Sequence, residues 1–156
     1  GWDAVDAASL ALQPFLGRAD LLSPAQRIGD PTRYRQHLLH VPADGAYSLV
    51  ALVWLPGQST PVHDHVAWCV VGVHEGQEHE IRYRLVGGRL HEDGHAAGGA
   101  GSVAGLAPPG DIHRVTNDGD EVAISLHVYG ADLRRRGTSI RRRYDLPVRG
   151  TARQAA

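Results

Sequence analysis

Apolar residues follow two different patterns along this chain. Over Trp2 to Leu16 the sequence is Ala- and Leu-rich, with Trp2, Val5, Leu10 and Leu12 at loosely helical spacing. Ser23-Pro24 reads as an N-cap with Pro at the first helical position, opening a short helix through Arg27. From Tyr34 onward the pattern changes to short β-like runs bounded by turn residues. These are Tyr34–Val41, Ser48–Leu55, His65–Val73, Glu78–Val86, Ser102–Leu106, His113–Thr116, Glu121–Tyr129 and Ser139–Tyr144. Gly87-Gly88 and Asp118-Gly119 read as two-residue hairpin turns and Glu75-Gly76-Gln77 as a third. The Gly/Ala-rich stretch Gly94–Gly105 reads as a flexible loop leading into a strand. About seven or eight short strands at this spacing predict an all-β sandwich or barrel, with helices confined to the N-terminal segment. With no internal repeat or second texture of core, one domain over 1–156 is expected, helical over 1–33 and β over 34–145.

Composition narrows the function classes. A chain of 156 residues can bury a real core, and 19 glycines with 9 prolines fit many turns. The net charge of −1 gives no global field toward nucleic acid, and no apolar run is long enough to span a membrane as a helix. All 16 basic residues are Arg; the runs Arg134-Arg135-Arg136 and Arg141-Arg142-Arg143 read as a solvated strand and turn. The single cysteine, Cys69, excludes an internal disulfide and fits a cytoplasmic location. The start lacks the basic and apolar regions of a signal peptide; Met is absent altogether, so the native start is expected upstream.

The candidate chemistry lies in the histidines. His63 and His65 are two apart, so on a strand both project from one face and reach one ion. A bare His-x-His is weak evidence, since packing produces it often. Here it stands in a longer frame: Gly57, five residues, His63-x-His65, three residues, Cys69, six residues, Gly76. Further on, Pro108-x-Gly110 is followed after two residues by His113 and after three more by Asn117. The two segments resemble the paired motifs of the cupin superfamily, with Cys69 where the usual cupin has a metal-binding Glu and the second motif's leading Gly displaced by one, to Gly101. The resemblance implies a jelly-roll-like cupin β-barrel and a metal on His63, His65 and His113. Without the Glu, three neutral imidazoles leave a divalent metal with its full charge and an open face for an anionic ligand. A three-His facial site suits iron(II) oxygenases, while zinc with bound water is the inorganic rival.

Ser125, His127 and Tyr129 alternate with Leu126 and Val128, so they form a polar row on one face of a strand. With this row the chain resembles the thiol dioxygenases, the cysteine and 3-mercaptopropionate dioxygenase family, through Tyr34-Arg35-Gln36, Trp54 to His65, Trp68 to Gly76, Gly110 to Asn117 and Ser125 to Gly130. That resemblance implies one Fe(2+) per chain, a small thiol and O2 as substrates, and a sulfinic acid as product. It implies an outer sphere of Ser125, His127 and Tyr129, with Gln36, Tyr34 and Trp68 toward substrate. Gln36 stands where cysteine-specific enzymes carry a carboxylate-binding Arg, which favours a 3-mercaptopropionate-like thiol; Arg35 points to the other face by parity. Cys69 departs from the mercaptopropionate branch and makes a Cys69–Tyr129 thioether an expectation beside that of a plain buried thiol. Cysteine, a bulkier thiol-imidazole, or a non-catalytic zinc or nickel binder remain alternatives. No nucleic acid or membrane partner is expected, and a monomer or homodimer is.

Overall fold

The computed structural model describes residues 2–149; residue 1 and residues 150–156, the ends of the domain expected from sequence, lie outside the described residues. Helix α1 (Trp2–Leu12) runs into a 3-10 turn, and Ser23 caps a second 3-10 turn, Pro24–Arg27, through a capping box with Gln26. Eleven strands follow: β1 (Arg35–His40), β2 (Ser48–Trp54), β3 (His63–His65), β4 (Cys69–Glu75), β5 (Gln77–Val86), β6 (Arg89–Gly99), β7 (Val103–Leu106), β8 (His113–Thr116), β9 (Ala123–Tyr129), β10 (Ile140–Arg143) and β11 (Val148–Arg149). One sheet has the order β1-β2-β9-β4-β7 and the other β10-β3-β8-β5-β6-β11. The two sheets curl face to face as a cupin barrel.

The alternation of side chains sorts β2, β4 and β9 onto two apolar faces. Val50, Leu52, Trp54, Cys69, Ala123 and Tyr129 point into the barrel with Leu106 and Val115. Ala51, Val53, Val70, Ile124, Leu126 and Val128 point outward, where Val5 and Leu12 of α1 cover them. Both faces of this sheet are therefore buried, which is why β2 reads as an apolar run from Leu49 to Trp54 and β9 is buried along its whole length despite its alternating polar row. The helix lies close because β4 carries Gly72: a Cβ there would sit 2.8 Å from Leu16 and 2.9 Å from Leu12. Burying each such aliphatic side chain contributes about 1.5–3 kcal/mol.

Several expectations are corrected. The single run His65–Val73 is two strands in different sheets, β3 and β4, with the chain crossing between them at Val66–Trp68. Glu75-Gly76-Gln77 and Asp118-Gly119 are not hairpins, since β4 and β9 lie in one sheet and β5 and β8 in the other; they are corners. Gly87-Gly88 is the hairpin expected, with both glycines at positive φ and Val86 paired to Arg89. Gly94–Gly99 is no loop. It continues β6 opposite β5 in register from Glu80↔Ala96 to Gln77↔Gly99, because strand pairing uses backbone groups that Gly and Ala also carry. A short helix, α2 (Leu133–Arg136), lies outside the N-terminal segment, capped by Asp132 and ended at Gly137.

Candidate metal centre

β3 and β8 are neighbours, and His63 is the direct register partner of His113. Parity then places His65 on the same inward face. The three rings lie 4.8 Å (His63–His65), 4.7 Å (His63–His113) and 5.0 Å (His65–His113) apart between centroids. One nitrogen from each lies within 4.8 Å of the other two, and all three residues are buried.

Each ring is held from behind through Nδ1. The partners are the Pro61 carbonyl at 2.9 Å for His63, the Asp111 carboxylate at 3.0 Å for His65 and the Glu80 carboxylate at 2.7 Å for His113. With Nδ1–H donating outward, Nε2 is the basic nitrogen that faces the common point. The His113 Nε2 is buried and has no hydrogen-bond partner among the described residues. A buried acceptor of this kind costs free energy unless something fills it, and a metal ion can. Burial, then the like charges of His113 and His65, pushes His63 down to about 3; burial likewise lowers His113. For these two the neutral form, the one that can ligate a metal, is thus the resting one. Burial alone would raise the Asp111 carboxyl, but hydrogen bonds from the His65 ring and backbone outweigh it and hold Asp111 ionised. Asp64, between the two ligands, faces the other way and anchors β10 through Arg141 and the Tyr144 hydroxyl, at 2.8 Å for the latter.

Ser125, His127 and Tyr129 line up on β9 as a continuous chain: Ser125 Oγ to His127 Nε2 at 2.8 Å, and His127 Nδ1 to the Tyr129 hydroxyl at 3.0 Å. The Trp54 indole N–H donates to Ser125 Oγ at 3.0 Å. Burial, then the charges of His65, His113 and His63, pushes His127 down to about 3, so it is a neutral imidazole with both nitrogens occupied. Burial also raises the Tyr129 hydroxyl well above its ordinary value. The Tyr129 ring lies 5.9 Å from that of His65.

A cavity of about 760 Å³ opens onto these groups, lined by His63, His65, His113, His127 and Tyr129 on its floor. Gln36 and Tyr34 line it too; Gln36 is the register partner of the inward-facing Leu52, and the Tyr34 ring packs 4.6 Å from that of Trp54. Trp68 is not brought to this cavity. The chain crosses between sheets there, and the indole packs on the outer apolar face beneath α1. Cys69 is fully buried directly opposite Tyr129, on β4 and not on the histidine strand, and it does not join the ligand group. Burial, then Glu80 and the other nearby carboxylates, raises its thiol well above the usual range.

Sequence reasoning missed Arg143. It is the register partner of His63, so it faces the cavity while Arg141 turns away to Asp64. By parity Arg141 and Arg143 would share a face; the register shift between Ile140 and Arg142 separates them, and only the pairing of β10 with β3 shows it and says which is inside. The carboxylates of Asp111 and Glu80 were missed as well, since neither carries a local signal beyond lying on a strand or turn near a ligand.

Similar chains are known. At 23% identity and a TM-score of 0.51, a cupin 2 conserved barrel domain protein from Salinispora arenicola aligns over 72% of this chain and 87% of its own. A cupin superfamily protein from Desulfitobacterium hafniense aligns over 76% and 96%, at 15% identity and a TM-score of 0.53. A conserved Klebsiella pneumoniae protein with a double-stranded β-helix domain aligns over 74% and 92%, at 20% identity and a TM-score of 0.50. These likenesses establish the cupin fold. Residues 25–136, which include all three clustered histidines and the whole Ser125–Tyr129 row, match the sequence pattern of cysteine dioxygenase type I. The chain belongs to the cysteine dioxygenase type I family, the thiol dioxygenases of the cupin superfamily.

Proposed function

We propose that this chain is a mononuclear iron(II) thiol dioxygenase that takes a small thiol with an anionic tail, of the 3-mercaptopropionate kind, to its sulfinic acid. The observation that carries this reading is the all-imidazole cluster: three buried histidines with no carboxylate among them, next to a buried hydroxyl on a relay. Ferrous ion on the three Nε2 atoms would supply the thiolate affinity and the O2 chemistry, adding both oxygen atoms to the sulfur.

The protein's own residues do the rest. Thiolate charge suits a site whose ligands are neutral, because the carboxylates of Asp111 and Glu80 are already spent on Nδ1–H groups. Arg143, Gln36 and Tyr34 line the cavity and would hold the tail; a guanidinium fork pairs with a carboxylate more strongly than a neutral amide does. Tyr129, steadied by His127, presents its hydroxyl to the cavity and would hydrogen-bond the bound substrate. Holding the reacting groups in one geometry is the proximity contribution. Direct pairing of Cys69 with Tyr129 supports the proposal that the two join as a thioether, the S–H and a ring C–H giving way to one C–S bond with O2 as the two-electron oxidant, a loss of two hydrogens in intact mass. One such domain per chain, in the cytoplasm, completes the reading; among the described residues no helix is long and apolar enough to cross a membrane.

The test is O2 consumption by the iron-loaded protein over 3-mercaptopropionate, cysteine, cysteamine and bulkier thiols, with the product identified by mass. Sulfinate from 3-mercaptopropionate at the highest kcat/KM is expected. Preference for cysteine would move the assignment to that substrate. Zinc at full occupancy in protein purified without added metal, with no O2 uptake after iron reconstitution, would overturn the enzyme reading in favour of a small-molecule binder.

A further inference from the structure

The Ser125–His127–Tyr129 chain does not stop at Ser125. Glu78 projects from β5 into the barrel and is 6% exposed, and its Oε1 is buried with no hydrogen-bond partner among the described residues. Strand β5 also contacts β9, and the polar groups that act on this carboxyl are the Ser125 hydroxyl and the Trp54 indole. On its other side is a second cavity of about 170 Å³, separated from the first by His113 and Val115, which line both. Around Glu78 the titratable groups are few. Glu80, on the same strand, is engaged by His113 and Arg82, and His113 faces it from β8. β4, β6 and β7, with Ser102 just before β7, line that cavity with Val, Ala, Gly, Leu and Ser, and Cys69 of β4 and Tyr129 of β9 also feel the Glu78 charge. Burial, partly offset by Ser125 and Trp54, raises this carboxyl to about 7.

We propose that Glu78 is the proton-holding end of the relay and that its proton sets whether Tyr129 offers the first cavity a donor or an acceptor. The inference rests on the relay serving the thiol site proposed above. When Glu78 is protonated it donates to Ser125, Ser125 to His127 Nε2, and His127 Nδ1–H to Tyr129, whose O–H is left pointing at the cavity. When Glu78 is ionised it accepts from Ser125, His127 Nε2–H donates to Ser125, and Tyr129 donates to Nδ1. In both arrangements the Ser125 oxygen donates one hydrogen bond and accepts two, one of them always from Trp54. Passing from the first to the second moves one proton from Glu78 to a group in the cavity, with Ser125, His127 and Tyr129 each giving one proton and taking one. Every relay member stays neutral, as the strong depression of His127 demands. Glu78 is a positioning residue: it acts on substrate only through Tyr129.

The test is the tautomer of His127, read by nitrogen NMR in the full chain, metal-free and with Zn(II) bound, its signals assigned by their loss in His127→Asn. From about pH 5.5 to about 8.5 the protonated nitrogen should change from Nδ1 to Nε2, covering most of the change in roughly two pH units as one titrating group does. Glu78→Gln keeps the volume and hydrogen bonding but cannot titrate, so the pH dependence should disappear. A His127 that holds one tautomer throughout in the wild type, or an unchanged transition in Glu78→Gln, would overturn the proposal. In the iron-loaded enzyme the limb near neutral pH in kcat should be missing from Glu78→Gln with KM unchanged. If no thiol is oxidised at all, the function proposed above fails, while the His127 measurement still decides the role of Glu78.

Discussion

The barrel's two inner walls both carry buried histidines, and they tie them down in opposite ways. On the six-stranded sheet, His63, His65 and His113 each have one nitrogen tied to an acceptor behind the ring and one left free. On the five-stranded sheet, His127 has both nitrogens tied to hydroxyls within its own strand. The first arrangement suits metal ligands and the second suits a relay. What separates them is the number of unused lone pairs and not the residue type or its charge state, since burial depresses His63 and His127 alike to about 3.

That contrast can be broken from either side. Removing a ligand is the severest change: His113→Ala should abolish tight metal binding and with it thiol oxidation, visible as loss of metal from about one per chain by elemental analysis. On the other wall Tyr129→Phe should leave metal content intact and lower kcat by about 10²–10⁴, the range for losing a positioned proton donor. A variant in which both metal and activity vanish would show the two walls to be one structural unit. Asp111→Asn keeps the shape but weakens the hold on His65, and should reduce metal affinity by about 10–100-fold in a competition titration. Arg143→Gln should raise KM for 3-mercaptopropionate about tenfold with a smaller change in kcat, and leave KM for the tail-less amine thiol cysteamine unraised.

The mildest test is acid. The folded values of His63 and His127, near 3, lie below the unfolded value of about 6.5, so between them the unfolded chain binds more protons. Their contribution to stability is present above about pH 6.5 and is lost as the pH falls toward 3. The melting temperature should drop over that window, and less steeply for His127→Gln, which does not titrate.

Much of the site could be read in advance because its spacing is local. His63 and His65 share a face on any strand, and Ser125, His127 and Tyr129 share one on another, whatever surrounds them. Reasoning of the same kind failed where a strand ended unseen. The run His65–Val73 reads as one strand, yet β3 ends at His65, and Cys69 faces inward from β4, paired with Tyr129 of β9. Trp68, at the crossing between sheets, went to the far side of the wall.

The amino-acid pattern by itself settled the class of the protein: short strands, a His-x-His with a distant third histidine, and a polar row of period two are all statements about neighbours along the chain. Tertiary structure alone decided which long-range partners complete those pieces. Glu80 behind His113, Asp111 behind His65, Arg143 beside His63 and Glu78 at the end of the relay are set by strand registers between segments tens of residues apart. Pairing register depends on how the whole barrel closes, and no local periodicity encodes that.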